Sequence, residues 1–143
     1  MNGIVKKIKL PNGGELCELS DGTKIYRLNN LLHREDGPAI ERYNGDKEWY
    51  IKGKLHREDG PAIEYTNDVK YWILNGQFHR EDGPAVEYIN GDKEYYIHDK
   101  LHREDGPALE DINGNKFWYL NDVRIDCTTQ EEFERLMSLR VFW

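Results

Sequence analysis

The tetrapeptide His-Arg-Glu-Asp, followed by Gly-Pro-Ala, is written four times: His33-Arg34-Glu35-Asp36, His56-Arg57-Glu58-Asp59, His79-Arg80-Glu81-Asp82 and His102-Arg103-Glu104-Asp105. These residue types can do three kinds of chemistry. An imidazole beside a carboxylate is a general acid–base pair. His and Asp at i, i+3, with Glu between them, offer metal ligands. Arg and His together suit an anion such as a phosphate. The repetition itself weighs against each. The copies start 23 residues apart (56−33, 79−56, 102−79), and nothing in them singles out one as a catalytic centre. Zinc needs three or four ligands at about 2.0–2.3 Å, whereas loops on consecutive hairpins stand about 10 Å apart, twice the strand spacing. Each loop would then have to complete a metal site alone, beside an Arg that repels the cation. An anion would compete with carboxylates that already neutralise the cations. The four copies therefore read as a structural ladder of sixteen residues. In it each Arg bridges to a carboxylate of its own or a neighbouring loop, and Asp-Gly-Pro makes a tight turn, Gly supplying an unusual φ and Pro rigidity. No catalytic residue, metal site or cofactor is expected, and the chain reads as a non-enzyme.

The elements that carry these loops follow from the same 23-residue pitch. Within each unit, AIERY (39–43), AIEYT (62–66), AVEYI (85–89) and ALEDI (108–112) have strand composition. The turns NGD, NDV, NGD and NGN follow, and Asn-Gly between apolar runs is a strong hairpin signal. Then come KEWYI (47–51), KYWIL (70–74), KEYYI (93–97) and KFWYL (116–120), aromatic and β-branched. A second turn (KGK, NGQ, HDK, NDV) leads back to His-Arg-Glu-Asp. Glu41, Glu64, Glu87 and Glu110 recur with Lys47, Lys70, Lys93 and Lys116 as cross-strand pairs. A two-residue first turn places Ile40 on the face of Trp49; a three-residue turn pairs it with Tyr50.

The organisation expected is one repeat domain over residues 1–143. An N-terminal edge strand (1–13) carries Lys6, Lys7 and Lys9, which discourage edge pairing. A degenerate first repeat (14–36), full repeats at 37–59, 60–82 and 83–105 and an incomplete repeat at 106–126 follow. Residues 127–143 form a capping helix and tail, the helix over roughly 129–139, with Thr128-Thr129-Gln130-Glu131 as its capping box. The fold class is all-β: an elongated antiparallel β-hairpin solenoid, a single meandering twisted sheet, closed by that helix. Cys17 and Cys127, at opposite ends of such a stack, are expected as free thiols.

A hairpin unit with W-Y-[IL]-x-G-K-[LF]-H and a terminal Asn-Gly resembles a MORN-type repeat, over residues 14 to about 125. Where the usual pattern has Gly-x-Gly after the second turn, this chain reads HREDGPA. That brings it nearer the HREDGPA-type MORN variants of phage, large-virus and bacterial proteins. The resemblance implies a hairpin solenoid used as a binding or scaffolding surface. The lipid binding ascribed to some MORN proteins is not expected, because the basic amphipathic patch that membranes attract is lacking.

The formal net charge is −7, spread as +1 (residues 1–36), 0 (37–59), −2 (60–82), −3 (83–105) and −3 (106–143). Direct nucleic-acid binding needs the opposite sign, whereas a protein partner with a basic surface is attracted. The function expected is non-enzymatic protein binding, in its sharpest form a phage-encoded inhibitor that blocks a host defence protein, such as a nuclease or another nucleic-acid binder. The alternatives are a sponge for a nucleotide signal using the Arg/His ladder, and a scaffold. Location is expected in the cytoplasm, that of the host cell if phage-encoded, with no membrane association and the oligomeric state open. Contacts are expected from the face that carries Tyr50, Ile73, Tyr96 and Tyr119, and from positions where the copies differ. These include the series Arg42, Tyr65, Tyr88, Asp111 and the series Lys52, Asn75, His98, Asn121. The residues singled out for the partner are Tyr65, Tyr88, Glu94, Tyr96, His98, Asp99, Asp111 and Tyr119.

Overall fold

A computed structural model describes residues 3–140; the ends of the expected edge-strand segment and tail (1–2 and 141–143) lie outside them. The chain is all-β with a C-terminal helix. Its antiparallel meander has thirteen strands, eight before Phe78 and five after it. The chain divides there into two compact units, one up to Gln77 and one from Phe78. In the first, strands Ile4–Lys9, Glu15–Leu19, Lys24–Leu28, Ile40–Glu41, Lys47–Glu48, Ile63–Glu64 and Lys70–Tyr71 neighbour one another in chain order, with the short Leu31–Leu32 paired to Lys24–Leu28. In the second, Val86–Glu87, Lys93–Glu94, Leu109–Glu110, Lys116–Leu120 and Val123–Ile125 do the same.

The register settles the turn. Ile40 lies opposite Glu48 and Glu41 opposite Lys47; Val86 opposite Glu94 and Glu87 opposite Lys93. Ile40 thus pairs with neither Trp49 nor Tyr50, and the face it shares is that of Glu48. The connection is the five-residue loop 42–46, closed by Arg42 N–H to Asp46 O and Gly45 N–H to Arg42 O, each 2.9 Å. Gly45 has φ of +97°, a conformation that costs a side chain dearly. Each of Lys47 and Lys93 faces a Glu on both neighbouring strands: Glu41 and Glu64, Glu87 and Glu110.

The segments expected as single second strands are split in the inner repeats. Lys47–Glu48 belongs to the meander, whereas Tyr50–Ile51 pairs with Lys54–Leu55 in a separate two-stranded ladder. The break falls at Trp49, which donates its N–H to Ala62 O (2.8 Å) and accepts from His56 N–H (3.0 Å). Tyr95 does the same between Ala108 O (2.8 Å) and His102 N–H (3.0 Å), and Tyr96–Ile97 pairs with Lys100–Leu101. One strand therefore serves two ladders, which is why it cannot sort its aromatic residues into two plain faces. The Ala of Gly-Pro-Ala is buried in every copy: Ala39, Ala62, Ala85 and Ala108 are each 0% exposed.

The helix runs Gln130–Arg140. Its capping box is one residue later than expected. Thr129 is the N-cap, its Oγ1 accepting from Glu132 N–H at 3.2 Å, and Glu132 in turn accepts from Thr128 N–H at 2.8 Å. Phe133, fully buried, packs on Trp118 and Leu120 with Ile125, Cys127 and Met137 around them. Trp118 Nε1–H donates to Gln130 Oε1 (3.1 Å), whose amide donates to Asp105 O (3.1 Å). Cys17 and Cys127 are free thiols, and burial, with Glu132 and Asp126 nearby, pushes the Cys127 thiol up. Among the described residues no helix is long and apolar enough to cross a membrane.

Candidate functional site

Each His-Arg-Glu-Asp segment follows a short strand or strand end, and its side chains divide their work. Arg57 donates from Nε to Asp59 (2.8 Å) and from Nη1 to Glu64 (2.8 Å) and Pro61 O (3.2 Å). Its guanidinium also stacks on the Trp49 ring, 4.0 Å from the centroid. Arg34 repeats this with Asp36, Glu41, Pro38 O and the Tyr26 ring at 3.9 Å, and Arg103 with Asp105, Glu110, Pro107 O and the Tyr95 ring at 4.0 Å. Arg80 bonds Asp82, Glu87 and Pro84 O in the same way. Each arginine thus bonds the Asp of its own loop and the Glu on the strand that opens the next repeat. Tyr26, Trp49 and Tyr95 supply stacking platforms for guanidinium.

The glycine has a different reason from the one expected. Gly37, Gly60, Gly83 and Gly106 are absent from the positive-φ glycines. A Cβ built on them would meet the preceding guanidinium carbon at 2.8–2.9 Å. Close approach of the Arg, not backbone conformation, excludes a side chain there.

The histidines join one repeat to the next. Nδ1 of His33 accepts from Lys52 N–H (3.0 Å), His56 from Asn75 (3.0 Å), His79 from His98 (3.2 Å) and His102 from Asn121 (3.1 Å). All four donors have φ near +50°. Acceptance at Nδ1 places the proton of a neutral ring on Nε2, which lies 3.5–3.7 Å from the Glu two residues on.

What remains outward is acid. Glu35, Asp36, Glu58, Asp59, Glu81, Asp82, Glu104 and Asp105 have side chains 76–88% exposed, whereas those of the four arginines are 22–24% exposed. Bonding from Arg, then its charge, holds the carboxyls of Asp36, Asp59 and Asp82 below the usual range. Grooves of about 730 Å³ (Arg34–Asp59, over Trp49 and Ile51) and 630 Å³ (Arg80–Asp105, over Tyr95 and Ile97) lie between consecutive loops of each unit. Their rims are these carboxylates.

The residues expected to meet a partner separate into two groups. Tyr88, Glu94 and Tyr96 come together: both phenols donate to Glu94, at 3.3 and 3.0 Å. Burial first, then the Glu94 carboxylate, pushes the Tyr96 phenol well up. The others make contacts of their own. His98 sits 4.3 Å from His79 ring to ring. Asp99 accepts from Phe78 N–H at 2.6 Å, as Asp122 accepts from Leu101 N–H at 2.8 Å. Asp111 closes its own turn through Asn113 and Asn115. Tyr65 packs edge-on to Tyr71 in the first unit, and Tyr119 lies half-buried opposite Arg124. Sequence reasoning missed Glu48, buried and bonded by Arg42 Nε (3.0 Å), Arg42 Nη2 (2.5 Å) and Tyr50 Oη (3.0 Å). Reading the columns 42/88 and 48/94 together would have found it.

No family model and no curated protein matches the chain.

Proposed function

We propose that the protein is a non-enzymatic binding module that occupies the basic surface of a protein partner. The observation that supports this best is the sorting of charge in the repeated loops: each copy turns its cation inward and leaves two carboxylates in water. Exposed acid of this kind steers a basic surface into contact and disfavours nucleic acid. A nuclease or other nucleic-acid binder of a host defence, blocked by a phage-encoded protein of MORN-like type, is the partner that best fits such a surface. The nucleotide-sponge reading has ligand-sized grooves in its favour. Against it, the guanidinium donors that would grip a phosphate already bond two carboxylates and a carbonyl. The experiment is affinity capture with the wild-type chain and with Glu58, Asp59, Glu81 and Asp82 reversed to Lys. A stoichiometric partner is expected, displaced by salt and by duplex DNA and lost with the reversal. Capture indifferent to the reversal, or a large thermal shift with a nucleotide, would overturn the reading.

A further inference from the structure

Two repeats separate Glu48 from Glu94 (94−48 is 46, twice 23), and the two carboxylates sit in corresponding places, with one difference in their hydrogen bonding. Glu48 lies opposite Ile40 and Ile63; Glu94 lies opposite Val86 and Leu109. Oε2 of Glu48 accepts from Tyr50 Oη at 3.0 Å, and Oε2 of Glu94 from Tyr96 Oη at 3.0 Å. The difference is at Oε1. On Glu48 it takes the fork of Arg42 through Nε and Nη2. On Glu94 it takes the Tyr88 hydroxyl at the longer distance of 3.3 Å, because Tyr88 stands where the first full repeat has Arg42.

The geometry points to Glu94 as a receptor for an arginine side chain of a basic protein partner, filling from outside the position that Arg42 fills from within on Glu48. This deepens the acidic-module reading and rests on it. Beside Glu94 is a pocket of about 170 Å³, lined by the apolar Leu109 and Phe117 and by the acidic Asp92, Glu94, Glu110 and Asp111, with Lys93 also there. Most of those charges have work already. Glu110 bonds Arg103, Asp111 its own turn and Asp92 the Ile112 N–H, and Lys93 faces Glu87 and Glu110. Glu94 accepts from two phenols, those of Tyr88 and Tyr96, and among the described residues takes no cation's fork. Phe117 already carries one guanidinium, Arg124 at 5.1 Å from its ring centroid. An arginine entering here would lay its stem along Leu109 and Phe117 and bring its fork to Oε1, with the exposed Tyr88 ring beside it.

The test is titration of the full chain with L-argininamide, followed by amide chemical shifts. Saturable shifts are expected at Tyr88, Glu94, Leu109 and Phe117, with lysinamide binding more weakly because it lacks the fork. Glu94→Gln should weaken binding by about ten-fold, the loss of one charge-assisted bond. Tyr88→Arg should abolish it by filling the site in cis, and Arg42→Tyr should open a second site with shifts at Glu48 and Tyr50. If Tyr88→Arg fails to fold, Glu94→Gln, which keeps the side-chain shape, carries the test alone. Absence of saturable shifts, shifts confined to the His-Arg-Glu-Asp loops, or binding indifferent to Glu94→Gln overturns the site. The loop reversals that test the acidic-module reading leave Glu94 intact, so each can fail without the other.

Discussion

Replacing Arg57 by Ala removes three kinds of contact, and their sum can be worked from the loop. The bond from Nη1 to Pro61 O, at 3.2 Å, is charge-assisted, and its loss is worth roughly 1.5–2 kcal/mol. The stack on Trp49, at 4.0 Å, adds about 1 kcal/mol for a partly desolvated cation–π contact. Asp59 is fully exposed and rehydrates when its partner goes. Glu64 is the term that decides the total. A buried carboxylate stripped of its cation costs about 3–5 kcal/mol, but Glu64 keeps Lys47 and Lys70 on the flanking strands and is about one-third exposed, so that full penalty does not apply. The first two contributions come to about 2.5–3 kcal/mol, and with a partial penalty at Glu64 the expected loss is about 3–4 kcal/mol. Urea unfolding, with the midpoint falling at unchanged slope, measures it. Arg57→Lys should recover less than half, because an ammonium cannot bond Asp59, Glu64 and Pro61 O as a fork while lying flat on an indole. Stability within about 0.5 kcal/mol of wild type for Arg57→Ala, the range of an ordinary surface change, would refute the reasoning, as would full recovery with Lys.

Other perturbations probe the same parts. Gly60→Ala should destabilise because its Cβ meets the Arg57 guanidinium carbon at 2.9 Å, and the cost should largely vanish in an Arg57→Ala background, a non-additivity that a double-mutant cycle reads directly. Asp36, Asp59 and Asp82 have folded values below 3.8. Their contribution is therefore fully present above that pH and lost as pH falls through the folded values; acid unfolding of the Asp→Asn triple variant should show a shallower slope below pH 3.8 than wild type. Burial and then Glu48 push the Tyr50 phenol from 10.0 up to about 12. Its contribution is present below 10.0 and lost as pH rises through about 12, so among the late phenols in an absorbance titration, Tyr96 included, one should move earlier in Glu48→Gln.

Much of the fold was legible because the repeat writes each element four times. The hairpins, their order and the terminal helix follow from the spacing of Asn-Gly turns and from the periodicity of Phe133, Leu136 and Met137. The register was not legible. It depends on a five-residue loop in which Arg42 and Asp46 close the backbone, and nothing in Tyr-Asn-Gly distinguishes that from a shorter turn. The break at Trp49 was hidden for a related reason. An unbroken aromatic run such as KEWYI has uniform strand propensity, and only the demand of two ladders for the same segment divides it. The glycine of Asp-Gly-Pro shows the limit of residue habits: glycine before proline suggests a turn, whereas its cause is a side chain three residues earlier.

The candidate site was legible in a different way. Identity between copies reported what holds the stack together, namely the Arg fork, the His acceptor and the buried Ala. Those positions are fixed because each copy meets the same neighbours. Departures between copies at corresponding places carry the other information. Arg42 and Tyr88 occupy one column, and Glu48 and Glu94 another; the first pair differs while the second does not. A carboxylate that remains when its cation is replaced has lost its local reason to be there, since leaving it without a strong partner on a partly buried strand works against stability. The two tyrosines at Glu94 soften that cost without supplying a positive charge. A carboxylate retained on such terms is the pattern expected of a group that completes its bonding with a partner, and it is visible here because the repeat supplies its own control.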